Sequence, residues 1–282
     1  MPLRPEAGDP TVQVHREDVV AGARQVGIVR GDTVMFHSSL SSMGTVVGGA
    51  NTVIDGFLEA VGPEGTVAVP TLWYHHTDPP MRIEEWDIET SPSYPGLITE
   101  TFRRRPDSVR SNNPTHSVSA IGARAVELTR DHGAGGLRPC LFGDTAFAAE
   151  SPWERLYRWN AAYCFIGVDF TVNTMGHYVE TVFAEKALRQ APAHLRHELE
   201  AQLQRWGKPG VWPSFDRRRT GERLAEMGLV RFGRIGSATL RCIRAREMVD
   251  HLLALIAAKP KQWFTPEFVC WLRATKRRGA SL

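Results

Sequence analysis

Hydrophobic positions along the chain fall into short continuous runs separated by amphipathic stretches. The runs TVMFH at 33–37 and TVAVP at 66–70 are bounded by polar and turn residues, a pattern typical of buried β-strands. Residues 16–26, which end before Gly27, and residues 51–61, which begin at a polar cap, are predicted to be helices. This alternation of strand and helix is the pattern of an α/β protein.

The same pattern continues toward the carboxyl end of the chain. It predicts a buried strand at 162–170 (AYCFIGVDF) and two strands within 229–243. Further helices are predicted at 95–105, 122–132, 174–188, 221–228 and 244–258, with a helix and a loop between 189 and 220. We therefore expect one domain over residues 1–282, with a central mixed sheet flanked by helices. Its main portion is 15–188, and 189–282 is a smaller C-terminal α+β elaboration.

Composition and charge are those of an ordinary globular protein. The 282 residues are 42% hydrophobic and 23% charged, and 34 basic against 31 acidic residues leave a net charge of +3. A balance this even does not favour nucleic-acid binding. The sequence has no apolar leader and no run of about 18 apolar residues, so we expect neither export nor a membrane partner. Four scattered cysteines without a C-x-x-C pair are typical of a reduced, cytoplasmic protein.

A turn rich in serine and glycine joins the strand at 33–37 to the helix at 51–61. Its sequence, HSSLSSMGTVVGGANTV at 37–53, offers hydroxyls, exposed backbone amides and a helix N-terminus, which together suit a phosphate group. It matches neither the Walker A loop nor the Rossmann G-x-G-x-x-G pattern. A serine-rich turn that binds nothing has the same composition, so this stretch alone does not decide between the two.

Two histidines and a glutamate are candidates for acid–base chemistry. His116 lies in the polar stretch RSNNPTHSVSA at 110–120, and NTMGHYVET at 173–181 places His177 and Glu180 three residues apart on one face of a helix. A histidine supported by a carboxylate suits a general base, because the acid fixes the tautomer and stabilises the imidazolium. The spacing does not decide whether Glu180 meets His116 across the fold, and each residue alone is more often structural.

Five stretches in a fixed order give the chain a family resemblance. They are HSSLSSMG, VGPEGTVAVPT at 61–71, the spaced pattern RS–NP–HSV, SPWERLY at 151–157 and the spaced pattern GVDF–NT–H–E. Together they resemble the aminoglycoside 3-N-acetyltransferase family over about residues 15–185, with a looser similarity in 229–258. The resemblance implies an acetyl-CoA-dependent N-acetyltransferase whose α/β fold is not the GNAT fold of many other acetyltransferases.

The resemblance also implies roles for individual residues. His116 corresponds to the general base of the family, and Glu180 corresponds to the glutamate that assists it. The serine-rich turn corresponds to the CoA groove, and the backbone amides of 38–41 are our candidates for stabilising the oxyanion. The residues that we assign to the cofactor are His37, Ser38, Ser39, Leu40, Ser41, Arg110 and Ser117.

Thr71 and Asn113 complete the comparison with the family. Thr71 follows the VAVP strand and is expected to hydrogen-bond the thiolate or the tetrahedral intermediate, with a purely structural turn as the alternative. The family usually carries a histidine where this chain has Asn113. Because asparagine does not titrate, a proton relay through that position is lost, although a hydrogen bond can remain.

An acidic loop is the candidate for recognising the acceptor. Residues 78–100 carry six acidic side chains against Arg82 alone, a local charge of −5. An acidic cleft attracts a polycationic aminoglycoside, whereas a solvated acidic surface loop is the alternative. The residues that we assign to acceptor binding are Asp78, Glu84, Glu85 and Asp87, together with His177.

Other chemistries find less support in the sequence. The stretch RDHGAG at 130–135 resembles the phosphate loop of GNAT enzymes, but it follows a predicted helix and is typical of a helix stop. The chain has no G-x-S-x-G elbow, and Cys164 lies in an apolar strand, where burial makes a thiol inert. The pair His194 and His197 has no third metal ligand nearby. We therefore expect neither an acyl-enzyme nor a metal.

The sequence thus predicts direct acetyl transfer from acetyl-CoA to an amine of an aminoglycoside or related amino sugar. We expect the pKa of the base to be raised above the ordinary histidine value by a nearby carboxylate. The alternatives are the same chemistry on another small-molecule amine, nucleotide-linked or peptide, and a non-catalytic CoA-binding relative. A module that binds nucleic acid through the arginines at 103–105 and 217–219 is a further alternative. We expect a monomer or a homodimer.

Overall fold

A seven-stranded sheet forms the centre of the computed structural model, which describes residues 5–75, 77 and 80–276. The order of strands across the sheet is β5-β6-β4-β2-β7-β9-β8, and β1 and β3 form a separate parallel ribbon. The strands are β1 Gln13–Val14, β2 Thr33–Ser38, β3 Thr45–Val46, β4 Thr66–Pro70, β5 Val109–Arg110, β6 Val118–Gly122, β7 Ala162–Ile166, β8 Arg231–Ile235 and β9 Ala238–Arg244.

Strand pairing makes the sheet mixed. β2 lies at the centre and pairs in parallel with β4 on one side and with β7 on the other. The pairs β4–β6, β5–β6, β7–β9 and β8–β9 are antiparallel. The predicted α/β fold with a central mixed sheet is therefore confirmed.

Helices pack on both faces of this sheet. They are α1 Arg16–Gln25, α2 Ala50–Val61, α3 Leu97–Arg103, α4 Ala125–Thr129, α5 Pro152–Arg158, α6 Met175–Gln190, α7 Ala193–Ala201, α8 Arg217–Glu226, α9 Ala245–Ala258, α10 Pro260–Trp263 and α11 Pro266–Ala274. Short 3-10 turns lie at Leu40–Ser42, Ile83–Glu85 and Phe170–Val172. None of the helices in the described ranges combines the length and apolarity that a membrane crossing requires.

Two hydrophobic cores lie on opposite faces of the sheet, because successive residues of a strand point to opposite sides. Val34 and Phe36 of β2 belong to one core, together with buried residues of α1 and α2. Met35 belongs to the other core, with Tyr163 of β7 and buried residues of α5, α6 and α9. His37, two residues after Met35, points to this second face, where its Nε2 lies 2.8 Å from the Tyr163 hydroxyl.

Most predicted elements are present, with shifts at their ends. The strand predicted at 162–170 stops at Ile166, because Gly167 adopts a φ of 62° and a Cβ there would lie 1.7 Å from Ser42 Oγ. The helix predicted at 122–132 is wrong in length, since α4 is a short helix that follows β6 and ends before the extended residue Arg130. Strands β8 and β9 join the central sheet through β7, so the C-terminal elaboration shares the sheet of the main portion.

Candidate active site

A cavity of about 1300 Å³ opens at the carboxyl ends of the parallel strands β2, β4 and β7. Ser38, Pro70 and Val168, which end or follow these strands, lie in its wall. Loops that follow parallel strands at one edge of a sheet converge there, which is why ligands of α/β proteins bind at this edge. The described wall also contains His37, Tyr74, His75, Tyr94, His116, Phe142, His177, Trp206 and Arg217.

Glu180 is fully buried beneath this wall and holds His177. Both residues lie near the start of α6, and Nδ1 of His177 is 3.0 Å from Oε2 of Glu180. The same oxygen accepts a hydrogen bond of 3.0 Å from Nε1 of Trp212, and Oε1 accepts one of 2.8 Å from Nη2 of Arg217. Burial by itself raises the pKa of Glu180, but His177 and Arg217 outweigh it and the pKa is lowered. Glu180 is therefore a carboxylate with three partners.

The tautomer of His177 follows from these contacts. Nη2 of Arg217 also lies 2.8 Å from Nδ1 of His177, but Nδ1 cannot donate to Glu180 and accept from Arg217 at the same time. An unprotonated Nδ1 would face the carboxylate with a lone pair, whereas Nη2 already has Oε1 of Glu180 as its acceptor. We therefore assign the proton to Nδ1, which leaves the lone pair of Nε2 on the cavity side.

His116 lies beside His177 but has no carboxylate partner among the described residues. Their ring centroids are 5.6 Å apart, and His116 packs against Phe142 and Phe147 at 4.6 and 4.7 Å. Burial, followed by the charges of His177 and two further basic groups, holds the pKa of His116 well below its ordinary value. The expected contact between His116 and Glu180 is not formed, and the expected upward shift of the pKa of His116 is wrong.

The pKa of His177 is also lowered. Burial is the main cause and the charge of Arg217 adds to it, while Glu180 acts in the opposite direction. A lowered pKa keeps the imidazole unprotonated at neutral pH, which is the state that accepts a proton. Of the two histidines, His177 is the one that contacts a carboxylate within the described part of the chain, and this carboxylate would stabilise its protonated form.

Asn113 fixes the backbone of His116. Its Oδ1 accepts hydrogen bonds from the backbone N of Thr115 at 3.1 Å, from Oγ1 of Thr115 at 3.0 Å and from the backbone N of His116 at 2.7 Å. Its Nδ2 donates to Oγ1 of Thr145 at 3.2 Å. The backbone oxygen of His116 in turn accepts from Nε1 of Trp153 at 2.9 Å. Asn113 therefore forms hydrogen bonds at this position, but unlike a histidine it does not titrate.

The serine-rich turn lines the cavity. Ser38, Ser39, Leu40 and Ser41 all lie in its wall. His37 reaches the wall too, but it is bound to the Tyr163 hydroxyl and burial lowers its pKa to about 3. The backbone amide of Ser39 donates to the oxygen of Ile166 at 3.0 Å, so this amide is not available as an oxyanion donor.

Thr71, Arg110 and Ser117 contact one another outside the described cavity wall. Thr71 and Ser117 are buried, and Arg110 is half-buried. The backbone oxygen of Thr71 accepts from Oγ of Ser117 at 2.6 Å and from Nη2 of Arg110 at 2.5 Å. The hydroxyl of Thr71 is 3.1 Å from that of Ser119, and Arg110 lies 4.5 Å over the ring of Trp86. The roles predicted for these three residues in catalysis and CoA binding stay predictions, and the contacts of Thr71 are those of its structural alternative.

Residues 94–99 of the acidic loop belong to the described cavity wall, but its described acidic side chains, Glu84, Glu85, Asp87, Glu89 and Glu100, do not. Glu84 and Glu85 are exposed on the 3-10 turn. Oδ1 of Asp87 accepts from the backbone amides of Glu89 and Thr90, and thereby caps the loop. Asp78 lies outside the described residues. The nearby part of the wall is aromatic instead, with Tyr74 against Trp206 at 4.3 Å and His75 against Tyr94 at 4.5 Å.

Several residues of the site escaped the sequence reasoning. Arg217 was considered only as part of an arginine cluster that could bind nucleic acid. Trp212 and Trp206 lie in the stretch that was predicted only as a helix and a loop. No local spacing connects them to His177, because the fold alone brings them together. The N-cap of α8, formed by Asp216, was the one local signal, since it marks where this helix begins.

Cys164 and Cys140 show no sign of an activated thiol. Cys164 of β7 lies opposite Cys242 of β9, and a hydrogen bond between them, followed by burial, holds the pKa of Cys164 well above its ordinary value. Burial raises the pKa of Cys140 to about 12. A thiol in these surroundings does not act as a nucleophile.

Sequence comparison places the chain beside known acetyltransferases. The family model described as Aminoglycoside 3-N-acetyltransferase matches residues 35–257. The SPbeta prophage-derived aminoglycoside N(3')-acetyltransferase-like protein YokD of Bacillus subtilis (strain 168) is 30% identical over 261 residues, which cover 83% of this chain and 89% of that protein. Aminoglycoside N(3)-acetyltransferase VII of Streptomyces paromomycinus is 28% identical over 270 residues, which cover 83% of this chain and 88% of that protein.

Solved structures have the same fold. The crystal structure of YokD from Bacillus subtilis superimposes with a TM-score of 0.69 at 24% identity, covering 89% of this chain and 96% of that chain. AAC-IIIb, solved as a binary complex with CoASH, gives a TM-score of 0.67 at 20% identity, covering 90% of this chain and 99% of that chain. The expectation of a fold other than the GNAT fold is confirmed.

Proposed function

The chain belongs to the aminoglycoside 3-N-acetyltransferase family and is an acyltransferase, and from this premise we propose its reaction and its base. It transfers the acetyl group of acetyl-CoA to an amine of an aminoglycoside or a related amino sugar. The relative AAC-IIIb binds CoA, which supports acetyl-CoA as the co-substrate. The cavity at the carboxyl edge of the sheet supplies the room for both substrates.

The observation that carries the proposal is the contact of 3.0 Å between His177 and the buried Glu180 at the cavity wall. The amine must attack as a free base, because an ammonium has no lone pair. Its nitrogen forms a bond to the thioester carbon, and the carbonyl electron pair moves to oxygen. Nε2 of His177 takes the proton that the nitrogen loses, and Glu180 stabilises the imidazolium through Nδ1–H. When the tetrahedral intermediate collapses, the C–S bond breaks and CoA leaves as the thiolate, which takes up a proton.

His177 therefore replaces His116 as our candidate for the general base. A base needs a partner that stabilises its protonated form, and Glu180 supplies this to His177 alone. Burial, followed by the charges of three neighbouring basic groups, holds the pKa of His116 well below its ordinary value. A group that resists a proton this strongly is a poor acceptor for one.

The serine-rich turn is our candidate for the CoA side of the cavity. Ser38, Ser39 and Ser41 present hydroxyls at the end of β2, and Oγ of Ser39 lies 3.2 Å from Oγ of Ser41. Hydroxyls and a turn of backbone next to an apolar wall suit the amide and thioester groups of the pantetheine arm. Arg110 and Ser117, which brace Thr71 elsewhere, have no part in this assignment.

A second acceptor class is favoured by the aromatic part of the wall. Tyr74, Trp206, His75 and Tyr94 offer ring faces and edges that suit an apolar or aromatic amine as well as a sugar ring. The same chemistry on a small non-sugar amine is therefore the alternative.

The test is a thiol-release assay with acetyl-CoA against a panel of aminoglycosides, amino sugars and aromatic amines. We expect saturable release of CoA with at least one aminoglycoside or amino sugar, and release slower by about 10²- to 10⁴-fold from the His177→Ala enzyme. His194→Ala, which alters an exposed histidine of α7, is the matched control. Transfer to aromatic amines alone would favour the second class. Binding of acetyl-CoA without transfer to any amine would identify a non-catalytic relative and overturn the proposal.

A further inference from the structure

The two nitrogens of His116 lie in different surroundings. His116 is only 5% exposed, and its Nδ1 is buried without a hydrogen-bond partner among the described residues. The ring nevertheless belongs to the cavity wall, so Nε2 is the nitrogen that reaches the cavity. The packing against Phe142, Phe147 and Trp153 leaves the ring little freedom to turn.

This arrangement decides where the single proton of His116 lies. A buried N–H without an acceptor is rarer in proteins than a buried acceptor without a donor. The proton is therefore assigned to Nε2, where it points into the cavity, and the lone pair to Nδ1. Burial and the charges of His177, His132 and Arg217 lower the pKa of His116, so the ring stays neutral and keeps this one proton.

The two histidines thus face the cavity with opposite chemistry. Nδ1–H of His177 donates to Glu180, so the lone pair of Nε2 faces the cavity. His116 instead presents its Nε2–H to the cavity. Their ring centroids are 5.6 Å apart and their planes are at 81°. A reacting amine and a thioester carbonyl need one group of each kind: an acceptor for the proton of the amine and a donor for the oxygen that becomes negative.

We propose that His116 is a catalytic residue that donates a hydrogen bond from Nε2–H to the thioester oxygen as negative charge develops on it. The inference rests on the proposed acetyl transfer with His177 as the base. As the C–N bond forms, the carbonyl electron pair moves to oxygen, and His116 stabilises this oxyanion without giving up its proton. When the C–S bond breaks, the pair returns to form the amide carbonyl.

The surroundings of His116 suit a fixed donor. Its backbone N is held by Asn113 and its backbone O by Trp153. Among the competing donors in the serine-rich turn, the backbone amides of 38–41, the amide of Ser39 already donates to the backbone oxygen of Ile166. A donor that is oriented before the reaction begins costs no reorganisation in the transition state, which is why such groups are effective.

Kinetics of two His116 variants test the role. We expect His116→Ala to lower kcat by about 10²- to 10³-fold with little change in the Kd of acetyl-CoA. His116→Gln should recover part of this loss, because an amide N–H also donates. The acid limb of the pH profile, where activity rises with pH, should not move, because the pKa of His177 sets its position. Loss of that acid limb in His116→Ala, or no difference between the Ala and Gln enzymes, would assign His116 to a different role.

The tautomer can be measured without any acceptor. In enzyme carrying ¹⁵N-histidine, two-bond ¹H–¹⁵N correlation spectra distinguish Nδ1–H from Nε2–H, and comparison with His116→Gln identifies the signal. We expect the neutral Nε2–H form of His116 throughout about pH 5 to 8. An Nδ1–H tautomer, or protonation within this range, would overturn the inference.

The two proposals fail in different ways. A wild-type enzyme that transfers acetyl groups to no amine ends the proposed function, and this inference with it. Near-normal turnover in a folded His177→Ala enzyme ends only the assignment of the base. An active wild-type enzyme whose folded His116→Ala variant turns over normally ends only the inference about His116.

Discussion

Nδ1 of His177 lies 3.0 Å from Oε2 of Glu180, at the point where helix α6 meets the cavity. The carboxylate is completely buried, whereas the side chain of His177 keeps 21% of its surface exposed. One end of the imidazole is therefore fixed by a charge and the other end faces the ligand space. This difference between the two ends of the ring distinguishes His177 from its neighbour His116, whose buried Nδ1 has no partner among the residues that the structure describes.

Replacing His177 should slow turnover strongly without unfolding the protein. We expect His177→Ala to lower kcat by about 10²- to 10⁴-fold, the usual contribution of a general base, and to leave the Kd of acetyl-CoA nearly unchanged. The loss should shrink at high pH, because the solvent then deprotonates the acceptor amine. Steady-state kinetics and circular dichroism check both points, with His194→Ala as control. Near-normal kcat in a folded His177→Ala enzyme would contradict the assignment.

The pH profile should follow the lowered pKa of His177. Only the unprotonated ring acts as a base, so kcat/KM rises with pH through the pKa of His177, which lies below the ordinary value of 6.5. Glu180→Gln removes the one neighbour that raises this pKa, so the acid limb should move to lower pH while the plateau falls by less than in His177→Ala. Rate measurements across the pH range decide this, and a limb that moves to higher pH would contradict it.

The sequence predicted the local parts of this site better than the distant ones. The alternation of apolar runs and helices is a local property, and it gave the order of the elements around β2, β4 and β7. His177 and Glu180 were recognised as a pair because their three-residue spacing within a helix fixes their geometry. The same local logic failed for His116 and Glu180, which meet only if two separate elements bring them together.

Arg217 shows most clearly what spacing cannot supply. It follows Glu180 by 37 residues, across α7 and a long connection, and contacts it because α8 returns to the start of α6. A run of three arginines in a sequence is typical of a solvated surface, and Arg218 fits that description at 53% exposure. The side chain of Arg217 is 19% exposed and compensates a buried charge. Only the path of the chain distinguishes the two.

Acetyl transfer should proceed without a covalent enzyme intermediate. Three of the four cysteines are buried, and the exposed one, Cys270, lies on α11 away from the described cavity wall. A thiol reagent should therefore modify Cys270 rapidly in the native protein and leave turnover intact, and double-reciprocal plots should intersect. Radiolabelled acetyl retained on denatured enzyme, or activity lost in step with modification of one thiol, would reverse this conclusion.

The acidic loop should act at a distance. Because Glu84 and Glu85 are exposed and outside the described wall, they attract a cationic acceptor without contacting it. Glu84→Gln/Glu85→Gln should raise the KM for aminoglycosides at low salt, and the difference should vanish near about 1 M salt, where charges are screened beyond about 3 Å. Asp87 stays unchanged because it caps the loop.

The control for the loop is a double variant with the same change in charge at exposed positions elsewhere, Glu222→Gln/Glu247→Gln. It should leave the KM for aminoglycosides nearly unchanged at every salt concentration. A loop variant that raises KM equally at low and high salt would instead indicate direct contact with the acceptor.

Arg217 should stabilise the protein chiefly through the buried charge of Glu180. Removing one partner of a buried ion pair costs about 3–5 kcal/mol, because the other charge is left uncompensated. We expect this loss for Arg217→Met at neutral pH, measured by urea unfolding. Arg218→Met, which alters the exposed neighbour, is the matched control and should cost less than about 1 kcal/mol.

The pH dependence of this loss distinguishes the buried charge from lost packing. In the wild type the pKa of Glu180 is below its ordinary value of 4.5, so its stabilising effect is complete above 4.5 and is lost as the pH falls through the lower folded pKa. Without Arg217 the burial of Glu180 raises its pKa, and a proton then neutralises the charge. Loss of Arg217 also raises the pKa of His177, because the charge of Arg217 lowers that pKa in the wild type. Arg217→Met should therefore lose less stability on acidification, and its free energy of unfolding should approach that of the wild type as the pH falls. A difference that stays constant with pH would assign the effect of Arg217 to packing alone.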